Sequence, residues 1–314
     1  MDPEAATTVS NLGALQQTSF FSVAALSIVL YDHAQTLSKE VELIWIGTVS
    51  PLTLLYFVNR YMGNAMLIAG TIVSVSTALS TKVSYKLLEF EAWGTLVNVW
   101  VVQSIMQPRI FAMYHRSKRV GAFLGVCFLA EIVTTAVILW LNVGPHSSFA
   151  MTSITVFTGQ LCVATGIRGN FMVMTYVPIV CFELLLFILA ARISAKNILE
   201  VIRLGGTERR MNSLMRVLAR DSLIYFLINL AITIIFIILW LALSPIYGQG
   251  ISVPLVDFVV VTTGSRLALS LRGHRARNGV WVGGVQPGAR NHDMDEAIPL
   301  HALGVNDDSW PSKS

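Results

Sequence analysis

The run LIYFLINLAITIIFIILWLAL (Leu223–Leu243) contains no charged residue and decides the fold class of this chain. An α-helix rises 1.5 Å per residue, so about 20 apolar residues cross the roughly 30 Å hydrocarbon core of a bilayer. A surface helix of a soluble protein would instead alternate apolar and polar residues around its axis. The run therefore predicts a membrane-spanning helix, and comparable apolar blocks recur along the chain.

The composition of the whole chain agrees with this prediction. Hydrophobic residues make up 54% of the sequence and charged residues only 13%, whereas soluble domains carry about 25% charged residues. The ten-residue alternating segments of a membrane β-barrel are not found in the sequence. We therefore expect an all-α, polytopic membrane protein that folds as a seven-transmembrane helix bundle.

Seven apolar blocks are long enough to be spans. They lie at residues 15–36, 51–75, 93–114, 121–141, 172–193, 221–243 and 254–271. This division predicts an external N-terminal segment at 1–14, a transmembrane domain at 15–271 and a disordered cytoplasmic tail at 272–314, because the tail is polar and rich in Gly and Asp.

The segments between the spans carry their own local signals. Leu37–Trp45 reads as a separate short amphipathic stretch with Ser38 as its N-cap, and Pro51 suits the first turn of the second span. Residues 142–170 are moderately apolar and rich in Gly, Ser and Thr. We expect them to form a long external loop that is partly helical or re-entrant.

The basic residues orient the predicted bundle. Of the 22 Lys and Arg residues, 18 fall on one side, three (Lys82, Lys86 and Arg168) fall on the other, and Arg60 lies within a span. Cytoplasmic loops carry the excess of basic residues, so we expect the N-terminus outside and the C-terminus in the cytoplasm. The predicted cytoplasmic basic surface, which would contact lipid or dock an acidic cytosolic partner, comprises Arg116, Lys118, Arg119, Arg209, Arg210, Arg216, Arg220 and Arg272.

Charged residues in the middle of spans cost about 2.5–3.5 kcal/mol on insertion scales and need a reason to be there. Arg60, Glu131 and Glu183 lie at similar predicted depths in the second, fourth and fifth spans. We expect Arg60 to pair with Glu183, Glu131 or both in the bundle interior. Such a cluster could be a fixed ion pair that sets helix register, or a polar site or proton-linked switch.

Two further groups of charges lie near the ends of the seventh span. Asp257 lies close to its external end, where it could contact a cationic ligand in an external vestibule or be solvated at the interface. Arg266 and Arg272 lie toward the other end, where we expect both side chains to reach the anionic inner leaflet.

Several classes of protein are excluded or unsupported by the sequence. It holds no Cys/His ligand spacing, Walker loop or GxGxxG motif, so no metal, cofactor or nucleic-acid partner is predicted. None of the lysines lies inside a predicted span, which excludes a retinal Schiff base. No nucleophile–base pair can be named, so we expect a protein that is not an enzyme.

Six short strings resemble one family: YDHAQTLSKEVELIW (Tyr31–Trp45), FVNRY (Phe57–Tyr61), PRIFAMY (Pro108–Tyr114), PIVCFELLLF (Pro178–Phe187), RDSLIYF (Arg220–Phe226) and SRLALSLR (Ser265–Arg272). Together they look like the basidiomycete fungal seven-span membrane proteins whose N-terminal region is a domain of unknown function. The resemblance implies a seven-span bundle and a fungal source, and it brings no established activity. Members are loosely described as receptor-like.

Three functions remain open at this stage. A receptor-like sensor would bind an external ligand among spans 3, 5, 6 and 7 and contact a cytosolic partner through its basic loops, although the motifs of rhodopsin-class receptors are missing. A transporter or proton-linked carrier would use the mid-membrane charges. A non-catalytic membrane scaffold would use those charges only to fix packing.

Overall fold

The computed structural model describes residues 3–46, 49–76, 78–114, 116–144, 150–156, 159–165, 169–203, 209–243 and 245–277. Seven long helical segments follow one another through these ranges. The first is α1 (Pro3–Glu40), which continues as a π-helical turn (Val41–Trp45), and the second joins α2 (Pro51–Phe57), a π-helical turn (Val58–Met62) and α3 (Gly63–Val75). The others are α4 (Thr81–Met113), α5 (Lys118–Val143), α6 (Gly169–Arg203), α7 (Arg209–Ala242) and α8 (Pro245–Arg277).

Five helical stretches in the described ranges are long and apolar enough to cross a membrane: Gly13–Trp45, Lys118–Val143, Val173–Lys196, Leu223–Ala242 and Gly250–Gly273. The other two long segments are less apolar in composition. The second is interrupted by a π-helical turn that contains Arg60, and α4 carries Lys82, Lys86, Glu89 and Glu91 near its beginning. The chain is a multi-pass integral membrane protein with at least these five candidate spans.

Helix α5 shows the inverted polarity expected in lipid. Its outward face is apolar and more than half exposed: Val126 67%, Leu129 61%, Val133 62% and Val137 52%. Its inward face buries Glu131 and Thr135. A water-facing helix would place these groups the other way round, so this exposed stripe of branched apolar side chains fits contact with acyl chains.

Helix α1 runs through the break that the sequence predicts at residue 37. It begins at Pro3, well before residue 15, and its helical path reaches Trp45, so Leu37–Trp45 is not a separate helix and Ser38 is not an N-cap. No Gly or Pro lies between residues 37 and 45 to end the helix. The prediction for Pro51 is confirmed, because it occupies the first turn of α2, where Ser50 and Thr53 form a capping box.

The described part of the segment between α5 and α6 forms strands and no helix. It contains a β-hairpin, in which β1 (Ala150–Val156) pairs antiparallel with β2 (Gly159–Thr165), from Ala150 opposite Thr165 to Val156 opposite Gly159. The helical part of the prediction for residues 142–170 is therefore wrong, and the external position of this segment stays a prediction. The β-branched residues of the two strands favour this structure over a helix.

Helix α8 lies at the centre of the bundle and contacts α1, α3, α4 and α7. It begins at Pro245, and Pro254, expected at the start of the span, lies inside the helix. The hairpin packs against α4 and α3, close to the end of the bundle where α3 ends and α4 begins. The opposite end brings together the C-terminal parts of α1 and α8.

Candidate functional site

Asp32 on α1 joins two arginines that come from two other helical segments. Its Oδ2 accepts a hydrogen bond from Nη1 of Arg60 at 3.1 Å, and its Oδ1 accepts from Nε and Nη2 of Arg266 at 3.0 and 2.8 Å. Arg60 also donates to the backbone oxygen of Asp32 and to the hydroxyl of Thr36. One carboxylate thus connects α1, the π-helical turn before α3, and α8.

Glu40, one turn beyond Thr36 and two turns beyond Asp32, is surrounded by donors. The hydroxyls of Tyr56 and Tyr61 donate to its two carboxylate oxygens at 2.8 and 2.6 Å, and the indole N–H of Trp45 donates at 3.0 Å. His33 Nε2 lies 3.5 Å from Glu40, and Arg60 Nε lies 4.0 Å from it. Glu40 is fully buried, so these donors replace the water that the carboxylate has lost.

These residues form a single charge-balanced cluster, here called the Arg60 network. Its two carboxylates face two guanidiniums, which offsets much of the cost of burying the charges. The side chain of Arg60 is 0% exposed, whereas that of Arg266 is 55% exposed. The Arg60 network consists of Asp32, His33, Thr36, Glu40, Trp45, Tyr56, Arg60, Tyr61 and Arg266.

Local sequence places these side chains together. Asp32, Thr36 and Glu40 are spaced by four residues, so they lie one above the other on a single face of α1. Arg60 lies in a π-helical turn, a local widening of the helix that recurs at functional sites. A second π-helical turn follows Glu40 and brings Trp45 back to its carboxylate.

The predicted pairing of Arg60 with Glu131 or Glu183 is wrong. Arg60 pairs with Asp32, and neither Glu131 nor Glu183 is among its partners in the described chain. The similar predicted depths of the three residues give their positions along the membrane normal. Depth does not tell which way a residue faces around its helix. Sequence reasoning missed Asp32 and Glu40, although their spacing of four residues around Thr36 was a usable signal.

Glu131 and Glu183 lie in a different part of the interior, among α4, α5, α6 and α7. The Oε2 of Glu183 accepts from the hydroxyl of Thr233 at 2.8 Å. Glu131 lies beside Gln103, yet none of the four polar side-chain atoms of these two buried residues has a well-formed hydrogen bond within the described part of the chain. Two carboxyl groups are therefore buried here without a basic partner in the described ranges.

Asp257 is not an external ligand contact or an interfacial group. It is 0% exposed, and its Oδ1 accepts from the hydroxyl of Thr95 on α4 at 2.8 Å. Because α8 begins at Pro245, two turns before the predicted span, Asp257 lies deeper in the bundle than expected. It adds, with the buried Glu91, to the unbalanced carboxyl groups of the interior.

The residues of the predicted basic surface have three different outcomes, and the buried Arg272 is treated after the other two groups. Arg116, Lys118 and Arg119 are exposed at the turn that precedes and begins α5. Arg209, Arg210, Arg216 and Arg220 lie in α7 at positions whose side chains fall outside the described residues.

The prediction that Arg272 belongs to this surface is wrong. It is only 9% exposed, donates to the backbone oxygen of Leu43 at 3.2 Å, and donates to the hydroxyls of Ser50 and Thr53. Arg272 therefore ties α8 to the corner between α1 and α2. Arg266 likewise pairs with Asp32 instead of reaching for lipid.

No group of three or more His, Cys, Asp or Glu residues in the described ranges is arranged to hold a metal ion. The Arg60 network is built from ion pairs and hydrogen bonds between helices, and it is the most connected polar cluster described above. Its chemistry is that of a buried electrostatic link between helical segments.

The fold and this network define a multi-pass helical membrane protein. Residues 20–64 are similar to a family described as "Family of unknown function (DUF6533)". That stretch includes every member of the Arg60 network except Arg266 from α8. The match to this family confirms the expected N-terminal domain of unknown function. A comparison with curated proteins found no match.

Proposed function

We propose that this chain is a seven-span membrane protein with an external N-terminus and that it acts as a receptor-like sensor without enzymatic activity. The Arg60 network is its switch, and the contact between α1 and α8 is the element that changes. A count of seven spans requires the two less apolar segments to cross the membrane as well. Residues 51–75 and 81–113 are each long enough to cross a core of about 30 Å.

One observation carries the proposal: Asp32 holds one fully buried arginine and one half-exposed arginine. If Arg266 moves away from Asp32, its guanidinium can enter water, and Asp32 keeps the buried Arg60 as its partner. No buried charge is then left alone, which is the situation that costs several kcal/mol. The link between Asp32 on α1 and Arg266 on α8 can therefore open at modest cost, as a two-state element requires, while Arg272 keeps the two helices joined near Leu43.

The two ends of the bundle fit the two tasks of a sensor. At one end the hairpin packs against α4 and α3, and in the proposed topology this end faces the outside. At the other end Arg116, Lys118 and Arg119 are exposed and suit an acidic cytosolic partner. The fungal, receptor-like resemblance is consistent with this division.

A distance measurement in lipid nanodiscs tests the switch. Ser38→Cys on α1 and His274→Cys on α8 carry spin labels in a background where Cys127, Cys162 and Cys181 are replaced by Ser. In wild type we expect a main short distance, and in Arg266→Gln we expect a larger population at longer distance. Distance distributions that superimpose would show a fixed contact, as in a scaffold, and would contradict the sensor.

A carrier is the second candidate, and a specific observation favours it. Glu131 and Gln103 are buried without well-formed hydrogen bonds in the described ranges, and an unsatisfied carboxyl in a membrane interior is often part of a proton or ion path. Proteoliposomes with an imposed pH gradient separate the two functions. A sensor gives no flux, whereas flux that Glu183→Gln abolishes would replace the sensor by a proton-linked carrier.

A further inference from the structure

A cavity of about 630 Å³ opens between α1 and α8, next to the exposed side of Arg266. Its walls come from residues 35–43 on one helix and 266–273 on the other. These are the last turns of two candidate spans, Gly13–Trp45 and Gly250–Gly273. The cavity therefore lies at the depth where the apolar part of both spans ends, which is the level of lipid headgroups.

The cavity carries charges of both signs. Lys39 contributes an exposed ammonium, Arg266 a guanidinium and Glu42 a carboxylate. A guanidinium has five N–H donors, and Asp32 takes bonds from Nε and Nη2 of Arg266. The remaining donors, on a side chain that is 55% exposed, can reach a ligand in the cavity.

We propose that this cavity binds the phosphate of a phospholipid headgroup and that phosphatidylethanolamine is its preferred class of lipid. Lys39 and Arg266 bind the phosphate oxygens. Glu42 binds the ammonium of the ethanolamine, which explains an acidic residue in a site for an anion. Leu43 and Leu269 complete the wall and suit the glycerol and ester region.

The mixed charge of the lining separates this ligand from simpler ones. A free phosphate would gain from Lys39 and Arg266 but would be repelled by Glu42. A cation would meet the opposite conflict. A phosphatidylethanolamine headgroup pairs with all three, because its ammonium donates N–H bonds to Glu42 that the quaternary ammonium of phosphatidylcholine cannot donate. Its acyl chains hold it at this depth. The site needs only the membrane placement of α1 and α8 and does not depend on the sensor function.

Native mass spectrometry of the purified full-length chain in detergent tests the site. The chain is titrated with phosphatidylethanolamine, phosphatidylglycerol, phosphatidylcholine and diacylglycerol. We expect phosphatidylethanolamine to bind tightest and diacylglycerol, which has no phosphate, to stay at background. Lys39→Gln should weaken phosphatidylethanolamine about tenfold, the loss expected for one charge-assisted hydrogen bond.

Three further variants sharpen the assignment. Glu42→Gln should weaken the binding of phosphatidylethanolamine, whose ammonium loses its carboxylate partner. It should strengthen the binding of phosphatidylglycerol, which has no ammonium. Ser270→Phe fills the cavity and should reduce the binding of both. Lys82→Gln removes an exposed positive charge from the beginning of α4, at the opposite end of the bundle from the cavity, and should leave the binding of both lipids unchanged. Arg266 is left intact because its removal also breaks the pair with Asp32.

Several results would overturn the proposal. Diacylglycerol binding as tightly as phosphatidylethanolamine would mean that the phosphate plays no part. Unchanged binding in both Lys39→Gln and Ser270→Phe, with melting temperatures like that of wild type, would place the lipid elsewhere. Displacement of the lipid by inorganic phosphate alone would assign the cavity to free phosphate. Weakening of lipid binding by Lys82→Gln equal to that by Lys39→Gln would mean that overall charge, and not the cavity, sets the affinity.

Discussion

Asp32 and Arg60 form an ion pair, with 3.1 Å between Oδ2 and Nη1, deep enough that Arg60 is 0% exposed. The pair joins α1 to the second helical segment, and Arg266 extends it to α8 through the other oxygen of Asp32. Both partners of the buried pair lie within residues 20–64, the stretch that matches a family of unknown function. That stretch thus contributes every member of the interhelical electrostatic link except Arg266.

Asp32→Asn should destabilise the protein far more than Arg266→Gln. Removing the carboxylate leaves Arg60 buried with Glu40 as its nearest acidic neighbour, and breaking a buried pair costs about 3–5 kcal/mol. Removing Arg266 costs about 1 kcal/mol or less, because its side chain is half exposed and Asp32 keeps Arg60. Thermal unfolding in detergent measures both changes.

The control for this comparison is Lys86→Gln, which breaks an exposed ion pair with Glu89 on α4. The hydrogen bond that Lys86 donates to Glu89 raises the pKa of Lys86, but the pair is solvated, so no change in melting temperature is expected. Equal losses in Asp32→Asn and Arg266→Gln would contradict the unequal roles of the two arginines.

Tyr56→Phe should destabilise more than Trp45→Phe, although both remove one hydrogen bond to Glu40. Tyr56 is fully buried and donates at 2.8 Å, whereas Trp45 is 58% exposed and donates at 3.0 Å. Loss of the buried donor to a charged acceptor costs about 1–2 kcal/mol, and water can replace the indole. Chemical unfolding in mixed micelles measures the loss of unfolding free energy in each variant. A larger loss in Trp45→Phe than in Tyr56→Phe would contradict the prediction.

The span positions could be predicted because an apolar block is a local property of sequence. Leu223–Ala242 and Lys118–Val143 are candidate spans close to their predicted bounds. The helical path through Leu37–Trp45 could not be predicted in the same way. Glu40, at the end of α1, accepts from Tyr56 and Tyr61, and these residues lie in another segment.

The partners of Arg60 show the corresponding limit for the site. Sequence gives the depth of a residue within a span, and the depths of Arg60, Glu131 and Glu183 are similar. Pairing also depends on which helices are neighbours and which faces meet, and these are set by the packing of the whole bundle. The four-residue spacing of polar groups from Asp32 to Glu40 was a local signal of a polar face on α1. It did not identify which face of which other helix packs against it.

Glu131→Leu should stabilise the protein, whereas Glu183→Leu should not. Both oxygens of Glu131 are buried without a well-formed hydrogen bond in the described ranges, so an apolar side chain of similar size should add about 1–2 kcal/mol. Glu183 accepts from Thr233, whose hydroxyl also contacts the backbone of Asn229. The melting temperatures of the two variants and of wild type are compared in the same detergent. A loss of stability in Glu131→Leu would mean that the carboxyl of Glu131 is hydrogen-bonded in the folded protein.

Gly264→Ala should destabilise the centre of the bundle, and Gly125→Ala should not. A Cβ at Gly264 would lie 2.6 Å from Cγ2 of Val102 and 2.7 Å from the amide of Asn59, so α8 and α4 would have to separate. Overpacking of this kind costs about 1–3 kcal/mol. Gly125 on α5 has nothing within 4 Å of such an atom, and the gain in helix propensity is up to about 1 kcal/mol. Unfolding of the two purified variants gives the comparison, and equal tolerance would show that the α4–α8 contact is looser than 2.6 Å implies.

Cysteine labelling should place the two ends of α4 on opposite sides of the membrane. In a chain whose native cysteines are replaced by Ser, Lys86→Cys should react with an impermeant maleimide on intact cells. Lys118→Cys, just beyond the other end of α4, should react only after permeabilisation, as should Ser38→Cys on α1.

This pattern would make both residues 51–75 and residues 81–113 cross the membrane, although neither is apolar enough by composition alone. The physical reason is that their polar groups face inward: Arg60 and Asn98 are 0% exposed, and Glu91 is 7% exposed. A helix whose charges are buried against its neighbours presents an apolar surface to lipid whatever its average hydropathy. Labelling of Lys86→Cys and Lys118→Cys from the same side would rule out seven spans and leave α4 as a helix that does not cross.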